Sequence, residues 1–344
     1  MIKLTLVFVC ITVVSVFGVN QLRNWLKISK IYDIPNDRSA HSVPTPRGGG
    51  LIIVVLTLIV VLIYSILRNA WSQTIIFLPM AALVAWFGWK DDVQSLSPKF
   101  RFLAQGVIAL ITIIGLGYFR FLTIPLIGEV HVGVIGIPLT ILWIVGLTNA
   151  FNFMDGLDGF AGGAAVLMAG GWMWVSSYSK GLPNELAYWI SFAIASSSLG
   201  FLWHNWPPAK IFMGDVASTF LGYCFAVLPL LSSHENGEPV LVGTLIMWAF
   251  ILDTGITFAR RAIQHKQVFS AHRTHLYQRW VINGMNPLWV NFIFYFFTLL
   301  AIFLLWGWFN QFRLFPALII IGLPLFWIFM TFLTHRKEHA HKIP

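Results

Sequence analysis

Residues 50–68 read GLIIVVLTLIVVLIYSILR, with no charged side chain before Arg68. A helix needs about 20 mostly apolar residues to cross the hydrocarbon core of a bilayer, and this run has that length. The whole chain has the same character: 58% of its 344 residues are hydrophobic and 10% are charged. Soluble domains carry about 25% charged residues, so the sequence predicts an integral membrane protein.

Similar apolar runs recur along the chain and predict an all-α, polytopic fold with about eleven transmembrane helices. They lie at about 3–22, 50–68, 72–89, 102–119, 134–150, 158–178, 186–203, 214–232, 240–261, 287–307 and 314–333. The two largest loops, about 23–49 and 262–286, are shorter than the ~50 residues of the smallest independent domains. We therefore expect one transmembrane domain over 1–344, with any chemistry built from helix ends and short loops.

The distribution of basic residues predicts the orientation of these helices. If the loop after the first run is inside and the loops alternate, 17 of the 22 Lys and Arg residues lie inside. The remaining five are Lys3, Arg68, Arg120, Lys180 and Arg313. The positive-inside rule then places the N-terminus outside and the C-terminus in the cytoplasm. Because the basic groups are spread over separate short loops, the net charge of +9 does not indicate a nucleic-acid partner.

The aspartates show a second bias, which orientation does not require, because acidic residues contribute little to it. All eight fall on or near the predicted inner side: Asp33, Asp37, Asp91, Asp92, Asp155, Asp158, Asp215 and Asp253. Most of them belong to polar clusters in loops at about 23–49, 90–101, 149–160, 203–215 and 262–286. The sequence therefore predicts a polar site at the inner membrane surface.

The clearest of these clusters is KDDVQSLSPKFR, residues 90–101, in which Asp91 and Asp92 are adjacent at a predicted helix end. Neighbouring carboxylates repel each other unless a cation lies beside them, and hard divalent cations prefer oxygen ligands. A solvated helix end is the alternative, but acids at a helix C-terminus oppose the macrodipole.

Residues 149–163, NAFNFMDGLDGFAGG, form the second cluster. Asn149, Asn152 and Asp155 are spaced by three and share one face of a helix, after which glycines loosen the backbone. Asn152, Asp155 and Asp158 are suited to a metal ion or to the NH and OH groups of a nucleoside. The alternative, a polar helix cap, needs fewer polar groups than these.

Two further clusters are weaker when taken singly. HSVPTPRGGG, residues 41–50, offers Arg47 as a hydrogen-bond donor to phosphate and three glycines for close backbone approach, but taken alone it favours a tight turn into the second helix. WHNWPPAKIFMGDVAS, residues 203–218, places Asp215 at a helix start, where a plain N-cap is the alternative. Phe212 could stack on a base, and Asn205 lies at the other end of this loop.

The last cluster is FSAHRTHLYQRW, residues 269–280, in which His272 and His275 flank Arg273. Two histidines at this spacing could bind a metal, but the arginines beside them, Arg273 and Arg279, favour an anion site for phosphate. Asp253 lies inside a predicted span, where an ionised group normally faces the bundle interior or a polar cavity.

With these motifs together, the chain resembles the polyprenyl-phosphate N-acetylhexosamine-1-phosphate transferases, a glycosyltransferase family 4 type that includes the MraY, WecA and WbpL enzymes. The resemblance runs from about residue 35 to residue 280 and rests on P-T-P-R-G-G-G, the Asp91-Asp92 pair, N-x-x-N-x-x-D-G-L-D-G, F-M-G-D and the histidine loop. It implies a bacterial inner-membrane enzyme whose active site faces the cytoplasm. The implied reaction transfers an N-acetylhexosamine 1-phosphate from a UDP-sugar to undecaprenyl phosphate, releasing UMP.

The resemblance also implies roles for individual residues. Asp215 would bind Mg²⁺, with Mn²⁺ as the alternative, and Asp91 and Asp92 would be the catalytic pair near the lipid phosphate. The implied substrate-binding residues are Arg47, Lys99, Asn152, Asp155, Gly156, Leu157, Asp158, Asn205, Phe212, His272, Arg273 and His275. The sequence leaves open direct attack or a covalent aspartyl-phosphate, and a homodimer is left open as well.

Differences from the MraY branch favour the N-acetylhexosamine branch, because the MraY triple-histidine run is replaced by His272-Arg-Thr-His275 and His41 stands near the place of an MraY lysine. The histidine loop favours initiation of O-antigen or a related surface polysaccharide. WecA-like synthesis of enterobacterial common antigen or teichoic acid and MraY-like peptidoglycan synthesis remain alternatives. A secondary transporter is the alternative from another class, but transporter charges gather at the bilayer midplane, and here they lie at the inner surface.

Overall fold

The computed structural model describes residues 2–35, 43–178, 184–232, 236–267 and 272–340. Its helices in chain order are α1 (Ile2–Ile28), α2 (Leu51–Arg68), α3 (Trp71–Gln94), α4 (Pro98–Leu116), α5 (Gly136–Phe153), α6 (Phe160–Tyr178), α7 (Glu185–Asn205), α8 (Asp215–Ser232), α9 (Glu238–Ile246), α10 (Trp248–Ile263), α11 (Leu276–Ile282), α12 (Pro287–Phe309), α13 (Phe315–Ala317) and α14 (Leu323–Ala340). Parts of two predicted site loops, residues 36–42 with His41 and residues 268–271, lie outside the described residues.

The polytopic membrane fold is confirmed, whereas the count of eleven spans is not. Among the described residues, nine helices are long and apolar enough to cross a membrane, or ten if α9 and α10 form one broken span. Helix α6 forms at the position predicted from the sequence but is not among these nine. Its glycine pairs, Gly162–Gly163 and Gly170–Gly171, and its two tryptophans keep its mean hydropathy low.

The sequence predicted one helix over the apolar run at 240–261, but the structure shows two. The run breaks at Met247 into α9 and α10, whose axes differ by 75°. The amide of Met247 still bonds to the carbonyl of Gly243, and the indole of Trp248 donates to the carbonyl of Phe297 at 2.9 Å. Helix α10 therefore leaves the direction of α9 and carries Asp253 toward the loop that precedes α11.

Beside the helices, the described residues contain two short antiparallel pairs of strands, the second of them a hairpin, which the sequence did not predict. β1 (Tyr32–Asp33) pairs with β2 (Thr45–Pro46), and β3 (Phe121–Ile124) pairs with β4 (Gly128–His131). The turn of the second hairpin depends on positive φ angles at Leu126 and Gly128. The sequence signal was weak, because only one of these two residues is a glycine.

Helix α8 is the centre of the bundle, and nearly all its side chains are buried. It packs against α3 and α5 on two sides and against α2, α7 and α9 elsewhere. A helix that is apolar all round is stable only inside such a bundle. The consequence for function is that the first residue of α8, Asp215, lies beside the C-terminal end of α3.

Candidate active site

Asp92, near the end of α3, is directed at the first turn of α8. Its side chain is fully buried and accepts hydrogen bonds from the backbone N–H groups of Asp215 at 2.8 Å and Val216 at 3.0 Å. The first N–H groups of a helix have no partner within that helix, and the helix dipole favours a negative charge there. Asp92 therefore joins α3 to α8 and fixes the position of Asp215.

Arg47, in the segment between β2 and α2, links the same two carboxylates. Its Nε lies 2.7 Å from Asp92 Oδ1, and one of its terminal nitrogens lies 2.7 Å from Asp215 Oδ1. Burial alone lowers the pKa of Arg47, but the charges of Asp215 and Asp92 outweigh it and raise the pKa above its usual range. The sequence offered Arg47 as a hydrogen-bond donor to phosphate, and in the structure it lies between two aspartates.

The three glycines after Arg47 pack against protein backbone. The amides of Gly48 and Gly49 donate to the carbonyl of Phe212, and the amide of Gly50 donates to the carbonyl of Met213. A Cβ on Gly49 would lie 2.6 Å from the side chain of Ile211, and a Cβ on Gly50 would lie 3.0 Å from the carbonyl oxygen of Met213. The glycine run is therefore needed for close approach to the segment before α8, and this approach places Arg47.

Asp91 points away from Asp92, because consecutive side chains on a helix differ in direction by about 100°. Its two oxygens accept from the amide of Leu96 at 2.6 Å and from the guanidinium of Arg101 at 2.7 Å. Arg101, in the first turn of α4, also lies 3.6 Å from Asp215 Oδ2, and the carboxyls of Asp91 and Asp215 are within hydrogen-bonding reach. The adjacent aspartates thus make separate contacts around Asp215.

The 149–163 stretch forms the C-terminal end of α5, a turn and the first residues of α6. Asp158 accepts from the amide of Ala209 at 2.9 Å, and Asn205 accepts from the amide of Gly159 at 3.0 Å. These bonds hold the turn against the loop between α7 and α8. Phe212, on that loop, is half-buried, and so is Asn152 at the end of α5.

Asp155 lies in this turn, partly exposed, between an exposed Gly156 and a buried Leu157. Burial, and then the negative charge of Asp215, raises the pKa of Asp155 to about 7. Asp155 therefore lies close enough to Asp215 for their negative charges to interact. Lys99, in contrast, is exposed on the first turn of α4 and extends from the rim.

Asp253 holds residues 272–275, the histidine segment, which directly precede α11. This buried carboxylate lies 3.2 Å from His275 Nδ1 and accepts from the amides of Leu276 at 2.8 Å and Tyr277 at 3.2 Å. His275 is itself buried and stacks on Phe153 at the end of α5, with ring centroids 6.0 Å apart. His275 therefore belongs to the frame of the site and does not line its open surface.

His272, Arg273 and Thr274 are partly exposed, in contrast to the buried His275. The ring of His272 lies 5.0 Å from that of His275. Burial, and then the neighbouring His275 and Arg261, lowers the pKa of His272 to about 4. The hydroxyl of Tyr277 donates to the carbonyl of Phe153 at 2.9 Å, which ties this segment to the 149–163 stretch.

Comparison with known proteins shows the family of the chain. The profile described as glycosyl transferase family 4 matches residues 74–233. A probable undecaprenyl-phosphate N-acetylglucosaminyl 1-phosphate transferase of Bacillus subtilis is 34% identical over 265 residues, which cover 76% of this chain and 72% of that protein. The chain belongs to glycosyl transferase family 4.

Two other relatives of this family 4 transferase differ in their named substrates. A decaprenyl-phosphate N-acetylglucosaminephosphotransferase of Mycobacterium leprae is 31% identical, over 71% of this chain and 68% of that protein. A phospho-N-acetylmuramoyl-pentapeptide-transferase of Chloroflexus aurantiacus is 29% identical, over 63% of this chain and 65% of that protein. The matched profile contains the carboxylate cluster, which consists of Asp91, Asp92 and Asp215, and it contains the 149–163 stretch. Arg47 and the histidine segment lie outside it.

The carboxylates of this transferase fit Mg²⁺ in one specific way. In the part of the chain that the structure describes, no three His, Cys, Asp or Glu residues form a site that would hold a metal by themselves. Mg²⁺ in proteins is commonly held by one or two carboxylates together with substrate phosphates and waters. Asp215 would provide such a carboxylate, whereas both oxygens of Asp92 accept hydrogen bonds from amides of α8 and both oxygens of Asp91 accept from Leu96 and Arg101.

Sequence reasoning missed two residues of the site of this transferase. Arg101 neutralises Asp91 and reaches toward Asp215, and Tyr277 links the histidine segment to α5. Arg101 stands in the polar cluster that contains Asp91, so its place there was an available signal. Tyr277 gave none, because a tyrosine beside an apolar helix is also typical of a packing residue.

Proposed function

We propose that the chain transfers an N-acetylhexosamine 1-phosphate from a UDP-sugar to undecaprenyl phosphate, giving undecaprenyl-pyrophosphoryl-N-acetylhexosamine and UMP. The observation that carries the proposal is the cluster in which Arg47 and Arg101 hold Asp91, Asp92 and Asp215 together at one end of α3 and α8. The names of the relatives support a polyprenyl phosphate as the acceptor. Two of them name N-acetylglucosamine, which makes UDP-GlcNAc the first donor to test.

The residues support a direct displacement. An oxygen of the lipid phosphate attacks the phosphorus that carries the sugar, the bond from that phosphorus to the UMP oxygen breaks, and UMP leaves. One phosphoanhydride is lost and another is formed, so the reaction is close to isoenergetic. A phosphate monoester is largely ionised near neutral pH (second pKa about 6), and a strong base is therefore not required.

Asp91 is the carboxylate that we assign to the lipid phosphate. A small cavity of about 20 Å³ adjoins Asp91 and Arg101, and its other walls include apolar Val84, Phe87 and Ile108. Asp91 would take up a residual proton, and Arg101 would hold the anionic nucleophile beside it. The role of Asp92 is then to hold Asp215, and a covalent aspartyl-phosphate on Asp92 would require breaking its bonds to α8.

Mg²⁺ bound by Asp215 would neutralise negative charge on the diphosphate as the leaving UMP takes up electrons. The turn with Asp155, Gly156, Leu157 and Asp158, together with Asn152, Asn205 and Phe212, would bind the uridine. His272 and Arg273 would face the diphosphate or the sugar, since both are partly exposed. Lys99 would act from the rim.

The proposal includes a cellular setting. We place the N-terminus in the periplasm, the C-terminus and the site in the cytoplasm, and the protein in a bacterial inner membrane, with α6 as an eleventh span. Support comes from the 17 of 22 Lys and Arg residues on one predicted side. Initiation of O-antigen or a related surface polysaccharide is the proposed role, supported by the sequence of the histidine loop.

The deciding experiment uses purified protein in detergent with undecaprenyl phosphate and Mg²⁺. UDP-GlcNAc, UDP-GalNAc and a UDP-N-acetyl-6-deoxyhexose are supplied separately, and UMP release is followed with and without EDTA. UMP from one donor, lost in EDTA, is the expected result and identifies the sugar. A folded protein that releases no UMP from any of the three would contradict the proposal in this form.

A further inference from the structure

The last helix, α14, contacts the short helix α11 through a buried ion pair. Glu338 on α14 accepts two hydrogen bonds from the guanidinium of Arg279 on α11, at 2.8 and 2.7 Å. The side chain of Arg279 is 7% exposed and that of Glu338 is 29% exposed. Two parallel charge-assisted bonds in a shielded position fix both distance and angle, which a single bond does not.

A second contact lies one helical turn away on α14. The indole nitrogen of Trp280 donates to Thr334 Oγ1 at 2.8 Å, and both groups are buried. Consecutive residues of α11, Arg279 and Trp280, are therefore bonded to residues four apart on α14. Residues four apart lie on one face of a helix, so these contacts set both the position and the rotation of α11.

Helix α11 is short, and its contacts connect the position set by α14 to the site. It spans seven residues, and its first two amides, of Leu276 and Tyr277, donate to Asp253. The hydroxyl of Tyr277 bonds to the end of α5, and His275 immediately precedes the helix. A rotation of α11 about its axis would therefore displace the histidine segment relative to the turn that contains Asp155.

We propose that Glu338 is a positioning residue for the transfer reaction: through Arg279 it sets the orientation of α11, and with it the histidine segment, against the nucleotide-sugar site. The inference rests on the proposed function for its kinetic consequence but on geometry for the contact. It assigns Arg279 to the frame of the site. The sequence had favoured a phosphate contact for this arginine, and its buried bonds to Glu338 direct it toward α14.

Exchanging the charges of the Arg279–Glu338 pair distinguishes a positioning role of Arg279 from phosphate binding. The variants are Glu338→Gln, Arg279→Glu and the double variant Glu338→Arg with Arg279→Glu, assayed for UMP release with UDP-GlcNAc and undecaprenyl phosphate. Glu338→Gln should raise the KM for UDP-GlcNAc by a factor of about 10 to 100 and leave the KM for the lipid unchanged. Arg279→Glu should lose more, and the double variant should recover most of the loss.

The matched control is Glu185→Gln, the same chemical change in an ion pair whose two side chains are more than half exposed. It should leave both KM values unchanged, because exposed pairs contribute little. Thr334→Val, which removes only the acceptor of Trp280, should shift the KM for UDP-GlcNAc in the same direction by less. A double variant as inactive as Arg279→Glu would overturn the proposal and return Arg279 to phosphate binding.

Hydrogen exchange tests the contact without any substrate. In Glu338→Gln, the amides of Leu276 and Tyr277 should exchange about tenfold faster or more, as expected for loss of a charge-assisted bond, while amides of α8 keep their rates. Unchanged exchange at these two amides would overturn the proposal. If wild-type protein releases no UMP, the proposed function fails, and the exchange result still decides whether α14 orients α11.

Discussion

Asp92 accepts hydrogen bonds from the backbone amides of Asp215 and Val216, and so caps helix α8 from a residue 123 positions earlier in the chain than Asp215. The same carboxylate is paired with Arg47 at 2.7 Å. Removing it would leave the partly exposed guanidinium of Arg47 with one partner fewer and would take away the side-chain acceptor of two helix amides. These contacts support the proposal that Asp92 holds Asp215 in place.

We predict that Asp92→Ala lowers the free energy of unfolding by about 1–3 kcal/mol, the usual cost of leaving a buried donor without its acceptor. UMP release should be lost as a consequence. Tryptophan fluorescence during denaturation in detergent measures the first effect. Glu129→Gln, on the exposed strand β4, is the control carboxylate and should change neither quantity.

A second variant reaches Asp92 from the other side. Gly214 has φ +81°, and a Cβ placed there would lie 2.5 Å from Asp92 Oδ2. Gly214→Ala should therefore reproduce the destabilisation of Asp92→Ala. An Asp92→Ala protein with unchanged stability and no turnover would instead assign Asp92 to the chemistry.

For Asp215 we expect lost activity with unchanged stability, because its substitution leaves the Arg47–Asp92 pair intact. Asp215→Asn should lower UMP release by more than about 100-fold while the melting temperature and the elution volume stay near those of the wild type. EDTA should abolish the wild-type activity, and Mg²⁺ should restore it. Full activity of Asp215→Asn, or undiminished activity in EDTA, would exclude Asp215 as the metal-binding carboxylate.

The sequence predicted the parts of this site but not their arrangement. Asp91 and Asp92 read as a like-charged pair, whereas the helix directs them to different partners, Arg101 on α4 and the first turn of α8. Those partners depend on how three helices pack, which adjacency in the sequence does not encode. The end of α5 at Phe153 was predictable, because polar and glycine residues follow it directly.

The histidine segment shows the same limit from another direction. Two histidines three residues apart read as equivalent, and only the break between α9 and α10 brings Asp253 to His275. The break has no proline or glycine at Met247 to announce it. Burial of one histidine and exposure of the other are thus consequences of tertiary packing.

Asp155 provides a pH-dependent prediction. Its folded-state pKa of about 7 lies above the unfolded value of about 4, so the folded protein holds a proton that the unfolded chain has released between these values. Stability from this group is therefore complete below about pH 4 and is lost as the pH rises through about 7. Asp155→Asn cannot ionise, and its melting temperature should exceed that of wild type increasingly from pH 5 to pH 8.

The comparison is made in metal-free buffer, because a bound cation would favour the ionised carboxylate. Melting temperatures of both proteins at pH 5, 6, 7 and 8 give the difference directly. Curves that stay parallel over this range would show that Asp155 does not titrate there, and its partly exposed carboxyl would then be solvated.

The orientation of the chain is tested by cysteine labelling. Cys10→Ser and Cys224→Ala remove both native thiols, after which a single cysteine replaces either Gln94, at the exposed end of α3, or Ile127, at the tip of the β3–β4 hairpin. A membrane-impermeant maleimide added to intact cells should label Ile127→Cys and leave Gln94→Cys unlabelled until the cells are opened. The physical reason is the excess of Lys and Arg on the side that carries Gln94. The reverse pattern would place the carboxylate cluster outside the cell, away from any cytoplasmic nucleotide sugar, and would contradict the proposed reaction as well as the orientation.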